Sequence, residues 1–334
     1  MRQAANTAGF RRRTSRRYLD PTIADRMIDP FDTGTGSAAN PPGRSPTMGS
    51  KAGFDRRRMA PGPATVLVAF AAACGVLVST LAAQQPRERV NQIIEQFEQG
   101  NAAFGEEHWQ FLSLTLSPFL RDDIEQAMED LRAEGDRPRL TPIVRIPYWG
   151  EQQYQHMAKQ FLSVGAMGII VPEVETAEQA AKLVENMRYP PQRGARYPEP
   201  VGKRGCCPGA APAYWGLSRD DYFARSDVWP LNPDGELLAL VMVESQTAID
   251  NIDEILSVPG LAGVMVGPAD LSLSLGVGTP GPNLRAPEVE EATATVARAC
   301  VAHNAICGTF ETSDVEQRLE QGFKLFPYPR TGRP

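Results

Sequence analysis

Three histidines among 334 residues are too few for a histidine-rich metal site, and none of the five cysteines sits in a C-x-x-C or Cys/His spacing. Zinc-finger, iron–sulfur and thioredoxin-like chemistries are thereby set aside. No Gly-x-Gly-x-x-Gly follows a predicted strand, which removes the usual sign of a dinucleotide fold. Basic residues are not in excess: the net charge is −6, so there is no electrostatic footprint for nucleic acid. The adjacent pair Cys206-Cys207 is read as two small loop residues, because a bridge between neighbours strains the peptide.

The first 58 residues lack any apolar period. Arg11-Arg12-Arg13, Gly34-Thr35-Gly36 and Pro41-Pro42-Gly43 mix basic clusters with chain breakers. Residues 1–58 are therefore expected to be a disordered or non-native extension. Arg56-Arg57-Arg58-Met59 then precedes an uncharged run, residues 64–83, that ends in small residues. This predicts a signal peptide or membrane anchor over 59–83, an exported or membrane-anchored protein, and a true start at Met48 or Met59.

From Arg87 the chain reads as globular, to about residue 330. Apolar runs end at turn residues and alternate with helical patterns seven or eight times. Helices are expected over 90–100, 122–133, 151–164, 176–187, 247–256, 287–304 and 314–320. Strands are expected over 109–114, 140–147, 168–172, 237–243, 264–266, 306–310 and 323–326. Residues 188–235 are irregular, which in such a chain marks a functional loop or a subunit contact. Repeated strand–helix alternation predicts an α/β fold, specifically a (β/α)8 TIM barrel, with chemistry at the C-terminal ends of its strands.

Two of those ends carry acids. Leu237–Val243 runs into Glu244, and Val264-Met265-Val266 runs through Gly267-Pro268-Ala269 into Asp270. Each acid alone could simply cap the helix it precedes. On consecutive strands at one rim, they form an oxygen-donor pair suited to a hard divalent cation. The amides after Gly267 could face an anion. Arg145 lies between Val144 and Ile146 on a predicted strand. A guanidinium there needs either a structural carboxylate or a substrate oxyanion. Glu173 and Glu175 read as solvent-facing charges leading a helix, His108 stands at the wrong rim, and His156 and His303 lie on helices.

These segments together resemble the HpcH/HpaI aldolase/citrate lyase family. The resemblance is carried by Pro142-Ile143-Val144-Arg145-Ile146-Pro147, Gly165–Pro172, Met187-Arg188-Tyr189-Pro190-Pro191, Val243-Glu244, Asn251–Leu256 and Val266–Ser272. It implies a TIM barrel of the phosphoenolpyruvate/pyruvate-binding type and a Mg²⁺, Mn²⁺ or Co²⁺ ion. It also implies aldol cleavage of a 4-hydroxy-2-oxo acid to pyruvate, or a related 2-oxo acid, and an aldehyde, carried out by a homo-oligomer. Carried over, Glu244 and Asp270 are the metal ligands, Arg145 polarises the oxo group, and the backbone at Gly267 and Ala269 binds the carboxylate. A citrate-lyase-like use of a larger CoA ester is a weaker implication, since no basic pocket signature accompanies it.

Two departures stand out. The family's acid-x-Glu-His run corresponds here to Ser113-Leu114-Thr115-Leu116, so Thr115 and Leu116 occupy the acid/base positions and neither moves a proton readily. The stretch between Gly105 and Trp109 is too short for a first barrel helix, and the chain stops soon after the last strand. A barrel incomplete at its first helix and C-terminus is expected, either catalytically active with changed chemistry or binding a metal and a 2-oxo acid without turnover.

Overall fold

The computed structural model describes residues 88–113, 121–131, 138–147, 154–278 and 280–330. The expected extension (1–58), the signal or anchor segment (59–83), and Thr115 and Leu116 lie outside the described residues. Within them, no helix is long and apolar enough to cross a membrane.

Eight parallel strands form one sheet that curls into a barrel: β1 (Ala103–Phe104), β2 (Trp109–Ser113), β3 (Thr141–Arg145), β4 (Gly168–Val171), β5 (Leu238–Val243), β6 (Leu261–Val266), β7 (Ile306–Thr309) and β8 (Leu325–Phe326). Each strand from β2 onward pairs with the next, and β8 pairs with β1. The ladder stops between β1 and β2, where Gly105 and Trp109 make only an isolated bridge. Four residues cannot hold a crossover helix, so the barrel carries one unsealed seam.

Contacts around the turn between the two strands span the seam. The Glu106 amide donates to the Trp109 carbonyl at 2.9 Å, and the Trp109 indole N–H reaches past β1 to the Phe326 carbonyl at 3.1 Å. On the paired side of β1, the Phe104 and Phe326 rings stack at 5.1 Å. A Cβ on Gly105 would come within 2.1 Å of the Pro327 carbonyl oxygen, so glycine is required where β8 leaves the sheet. His108 lies in this turn, and its Nδ1 accepts from the Phe104 amide.

The helices follow from the local sequence. They are α1 (Gln92–Glu98), α2 (Arg121–Asp130), α3 (Tyr154–Val164), α4 (Ala177–Met187), α5 (Ala211–Tyr214), α6 (Arg219–Arg225), α7 (Gln246–Asp250), α8 (Ile252–Leu256), α9 (Pro268–Ser274), α10 (Pro287–His303) and α11 (Val315–Glu320). Thr176 and Gln179 form a capping box that starts α4. Asn304 ends α10 in the left-handed conformation, φ 51°. The single helix expected over 247–256 is instead two, α7 and α8. Asn251 separates them and donates its side-chain amide to the Glu175 carbonyl at 2.8 Å. The irregular stretch 188–235 holds the short helices α5 and α6.

Side-chain alternation along the strands sorts the core into two. Leu238, Leu240 and Met242 face the barrel interior with Ile143, Ile170, Met265 and Leu325. Ala239, Val241 and Val243 face the helices with Leu183, Ile255 and Val296. Ile93 and Ile94 of α1 join the interior cluster and plug the N-terminal end of the barrel. Buried Glu236 holds that plug. It accepts the Val90 and Asn91 amides, at 3.2 and 2.8 Å, and pairs with Arg225 and Arg89.

Candidate active site

The same alternation decides what stands at the other end. Interior positions on β2 run Trp109, Phe111, Ser113; on β3, Ile143, Arg145; on β5, Leu240, Met242 and then Glu244 past the strand end. A cavity of about 340 Å³ opens there, lined by Phe111, Ser113, Arg145, Met242, Glu244, Gly267–Asp270, Leu284, Phe310 and Tyr328. The strand ends of β2, β3, β5, β6, β7 and β8 all contribute to this rim. Arg145, Glu244, Gly267, Ala269 and Asp270, picked out from sequence, thus share one cavity.

Arg145 is half-buried. Its Nη2 donates to Ser113 Oγ at 2.9 Å, across the β2–β3 register pair Ser113–Arg145, and its Nη1 meets Met242 Sδ at 3.8 Å. The guanidinium carbon lies 5.2 Å from the Phe111 ring centre and 5.6 Å from that of Phe310. Its charge faces Glu244 and Asp270, which line the same cavity. Burial lowers its pKa, and Glu244, Asp270 and Tyr328 oppose that shift.

Glu244 is 7% exposed. Its Oε2 accepts the Glu173 amide at 2.8 Å. Glu173 reaches that position with φ 56°, a left-handed conformation uncommon for a side-chain-bearing residue. The Glu173 side chain is exposed, as expected, but its backbone orients Glu244. Nothing in the sequence marks that role. Burial pushes the Glu244 carboxyl up to about 7, the Glu173 amide opposes this, and Asp270 reinforces it. Glu175 is not simply a solvent charge: its Oε1 accepts from Ser245, the N-cap of α7, at 2.6 Å.

Gly267 behaves differently from expectation. Its amide donates to the Val243 carbonyl at 3.1 Å, within the sheet, and so is committed elsewhere. What Gly267 supplies is space, because a Cβ there would stand 2.3 Å from Glu244 Oε1. The amides of Ala269 and Asp270 are in the first turn of α9, where no intrahelical acceptor exists. They, with Pro268 setting the turn, form the anion-facing edge.

Two carboxylates face this cavity, and among the described residues no cluster of three or more His, Cys, Asp or Glu could hold a metal ion. The donor set nonetheless fits a hard cation of the Mg²⁺ type. Such ions take few protein carboxylates and fill their remaining positions with water and substrate oxygens. The pinned Oε2 of Glu244 and the room kept by Gly267 beside Oε1 fit the same purpose.

Phe111, Phe310, Tyr328 and Leu284 are not singled out from sequence, and Ser113 enters there only as the start of the stretch that departs from the family's acidic run. Strand parity could have found Phe111 and Ser113. Phe310 and Tyr328 follow short strands whose ends the apolar pattern does not fix. A second cavity, about 960 Å³, lies in the irregular stretch and is lined by Arg188, Tyr189, Lys203, Arg204 and Cys206, away from the strand ends. Two of its cations are engaged, Arg188 with Asp227 at 2.7 Å and Lys203 with Glu185.

Comparisons with known proteins agree with this geometry. The chain is 38% identical over 155 residues to a hydroxypyruvate/pyruvate aldolase of Deinococcus radiodurans, covering 46% of this chain and 48% of that one. It is 34% identical over 169 residues to a 2-keto-3-deoxy-L-rhamnonate aldolase of Klebsiella pneumoniae, covering 50% and 54%. The chain thus spans about half the length of the curated relatives it matches. Among solved structures, the HpcH/HpaI aldolase from Desulfitobacterium hafniense superposes with a TM-score of 0.52 at 22% identity, over 72% of this chain and 82% of that one, and shows the same fold. A family protein from Burkholderia cenocepacia does so with a TM-score of 0.50 at 25% identity, over 71% and 91%. The family model for HpcH/HpaI aldolase/citrate lyase matches residues 118–326, which is most of the barrel and all of its acidic rim, and the chain belongs to that family.

Proposed function

We propose that this barrel is a divalent-metal-dependent carbon–carbon lyase. It would cleave a 4-hydroxy-2-oxo acid to pyruvate, or a related 2-oxo acid, and an aldehyde. The observation that carries the reading is the convergence of Arg145, Glu244 and Asp270 on one cavity at the strand ends. Two relatives named as aldolases of 2-oxo acids support it.

Glu244 and Asp270 would hold Mg²⁺, Mn²⁺ or Co²⁺. Bound there, the ion supplies Lewis acidity to a chelating 2-oxo acid. The amides of Ala269 and Asp270 would take the substrate carboxylate. Arg145 would face the 2-oxo oxygen and stabilise the negative charge that develops on it. In the cleavage, the 4-hydroxyl loses its proton and the C3–C4 bond breaks. C4 leaves as the aldehyde, the electron pair moves toward the 2-oxo oxygen, and C3 then takes a proton to give the methyl of pyruvate.

Assay of the purified protein with Mn²⁺ and 4-hydroxy-2-oxo acids tests this. Pyruvate release well above that of the Glu244→Ala/Asp270→Ala double variant is expected, and equal rates refute the reading. A second reading, metal and 2-oxo acid binding without turnover, is favoured by one observation: no histidine lines the described cavity, and the family's acid position is Ser113, bonded to Arg145. It predicts metal-dependent oxalate binding by calorimetry with no pyruvate formed. We also propose that the working form is a homo-oligomer, and that residues 64–83 direct export. Sedimentation and fractionation of the tagged full chain, respectively, check these.

A further inference from the structure

Four arginines are buried among the described residues: Arg188, Arg204, Arg225 and Arg318. Three of them face carboxylates. Arg188 pairs with Asp227, Arg225 with Glu236, and Arg318 with Glu290 and Glu311. Arg204, 1% exposed, has neutral neighbours instead. Its Nη2 donates to Tyr222 Oη at 2.7 Å and to the Leu162 carbonyl at 3.3 Å. Its guanidinium carbon lies 4.4 Å from the Tyr189 ring centre and 5.8 Å from that of Tyr222. A guanidinium carries five N–H groups. Those on Nη2 are taken, while Nε and Nη1 find no acceptor in the protein. Burial pushes the Tyr189 and Tyr222 hydroxyls up, with Arg204 opposing the shift, so neither ring ionises near neutral pH to balance the charge.

A second donor of this kind stands in the same wall. Ser226 is 1% exposed, lines the 960 Å³ cavity together with Arg204, and its hydroxyl has no protein partner either. The other charges there are balanced or screened. Arg188 bonds Asp227 and the Tyr197 and Pro200 carbonyls, and Lys203 pairs with Glu185. Arg196 and Asp234, of opposite sign, are exposed to water. The charge left over is that of Arg204.

We propose that this cavity is a second binding site, for a small oxyanion of the carboxylate or phosphate class, with Arg204 supplying the charge and Ser226 a neutral donor. A bound anion gives Arg204 what carboxylates give the other three buried arginines. Aromatic faces offset part of the cost of burying a cation, but they leave the donors in its plane unused. The half-buried Tyr189 ring covers the guanidinium, so entry of the anion turns that ring toward the cavity. The site stands independently of the lyase reading, since it shares no lining residue with the barrel cavity.

Titration calorimetry of the full chain with inorganic phosphate, and separately with acetate, in EDTA at constant ionic strength tests this. One equivalent of the better anion should bind, with chloride competing weakly. Arg204→Met, similar in shape and uncharged, should weaken binding at least about tenfold. Its melting temperature, unlike that of the native chain, should not rise with the anion. Ser226→Ala, a milder change, should weaken binding about three- to tenfold. Arg145→Gln, in the barrel cavity, should leave it unchanged. Phosphate bound more tightly than acetate assigns the site to phosphorylated ligands, and the reverse order to carboxylates. Three results overturn the inference. One is the lack of saturable binding of either anion. Another is loss of binding in Arg145→Gln. The third is unchanged binding in both Arg204→Met and Ser226→Ala, or in Ser226→Ala alone if Arg204→Met does not fold.

Discussion

Arg145 and Glu244 carry the sharpest expectations. Arg145→Lys keeps the charge but loses the planar fork and the two-ring stacking. If the guanidinium faces developing charge, kcat should fall about 10²-fold or more with the melting temperature little changed. Glu244 gives a pH prediction. Its folded pKa, about 7, is raised above the ordinary carboxylate value, so without metal it is the protonated form that folding favours. The stability it contributes is full in acid and is lost as pH rises through about 7. A cation takes the ionised form, so the metal reverses the trend. Mn²⁺ affinity should weaken about tenfold per unit below pH 7. Thermal melts at pH 5.5 and 8, each with and without Mn²⁺, check both signs: the metal-induced rise should be much larger at pH 8.

These residues were legible for a simple reason. A charged side chain inside an apolar run, or immediately after one, violates the pattern that defines the strand. Arg145 and Glu244 do so, and Asp270 stands in the turn that follows such a run. Ser113 does not violate it, and Phe111 and Phe310 conform to it, so the side chains that surround Arg145 were invisible. The Glu173 amide was invisible for another reason: a backbone group has no letter in the sequence.

Among the elements, the β6–α9 corner does the most. Proline at the first position of α9 and glycine before it let the strand turn at once into a helix. Gly267 is kept not by its dihedral, φ −99°, which any residue adopts, but by the 2.3 Å approach of Glu244. Gly267→Ala should therefore displace the carboxylate and lower Mn²⁺ affinity at least tenfold, with β6 still formed. Calorimetry and circular dichroism together check this. Strand and helix positions were read well wherever apolar periodicity was long. The helix over 247–256 was misjudged because its pattern continues through Asn251, whose side chain bonds a neighbouring loop rather than the helix. The short α5 and α6 were missed because a helix of one or two turns leaves too little period to see.

At the scale of the molecule, the barrel is a wound ladder with one open rung. The lack of a first helix was evident from the four residues between β1 and β2; what sequence could not show is how the gap is held. The Trp109 indole bond to the Phe326 carbonyl and the Glu106 amide bond to the Trp109 carbonyl span the gap in place of a ladder. Trp109→Phe removes the indole donor from the Phe326 carbonyl inside the core and should cost about 1–3 kcal/mol, read by denaturant titration. Hydrogen exchange should be faster at residues 103–113 than in β5 and β6, which are buried along their whole length.

The Glu236 lock also sets an order in time. The amides of Val90 and Asn91 find their acceptor 146 and 145 residues downstream, and β1 finds its partner only in β8. During synthesis, the plug therefore lacks its Glu236 acceptor until residue 236 has left the ribosome, and the cylinder has no closure until residue 325 has. A nascent chain halted after β4 holds a three-stranded β2–β4 sheet with two bare edges, and β1 still lacks its ladder partner. Folding of this protein is a late event in its own translation.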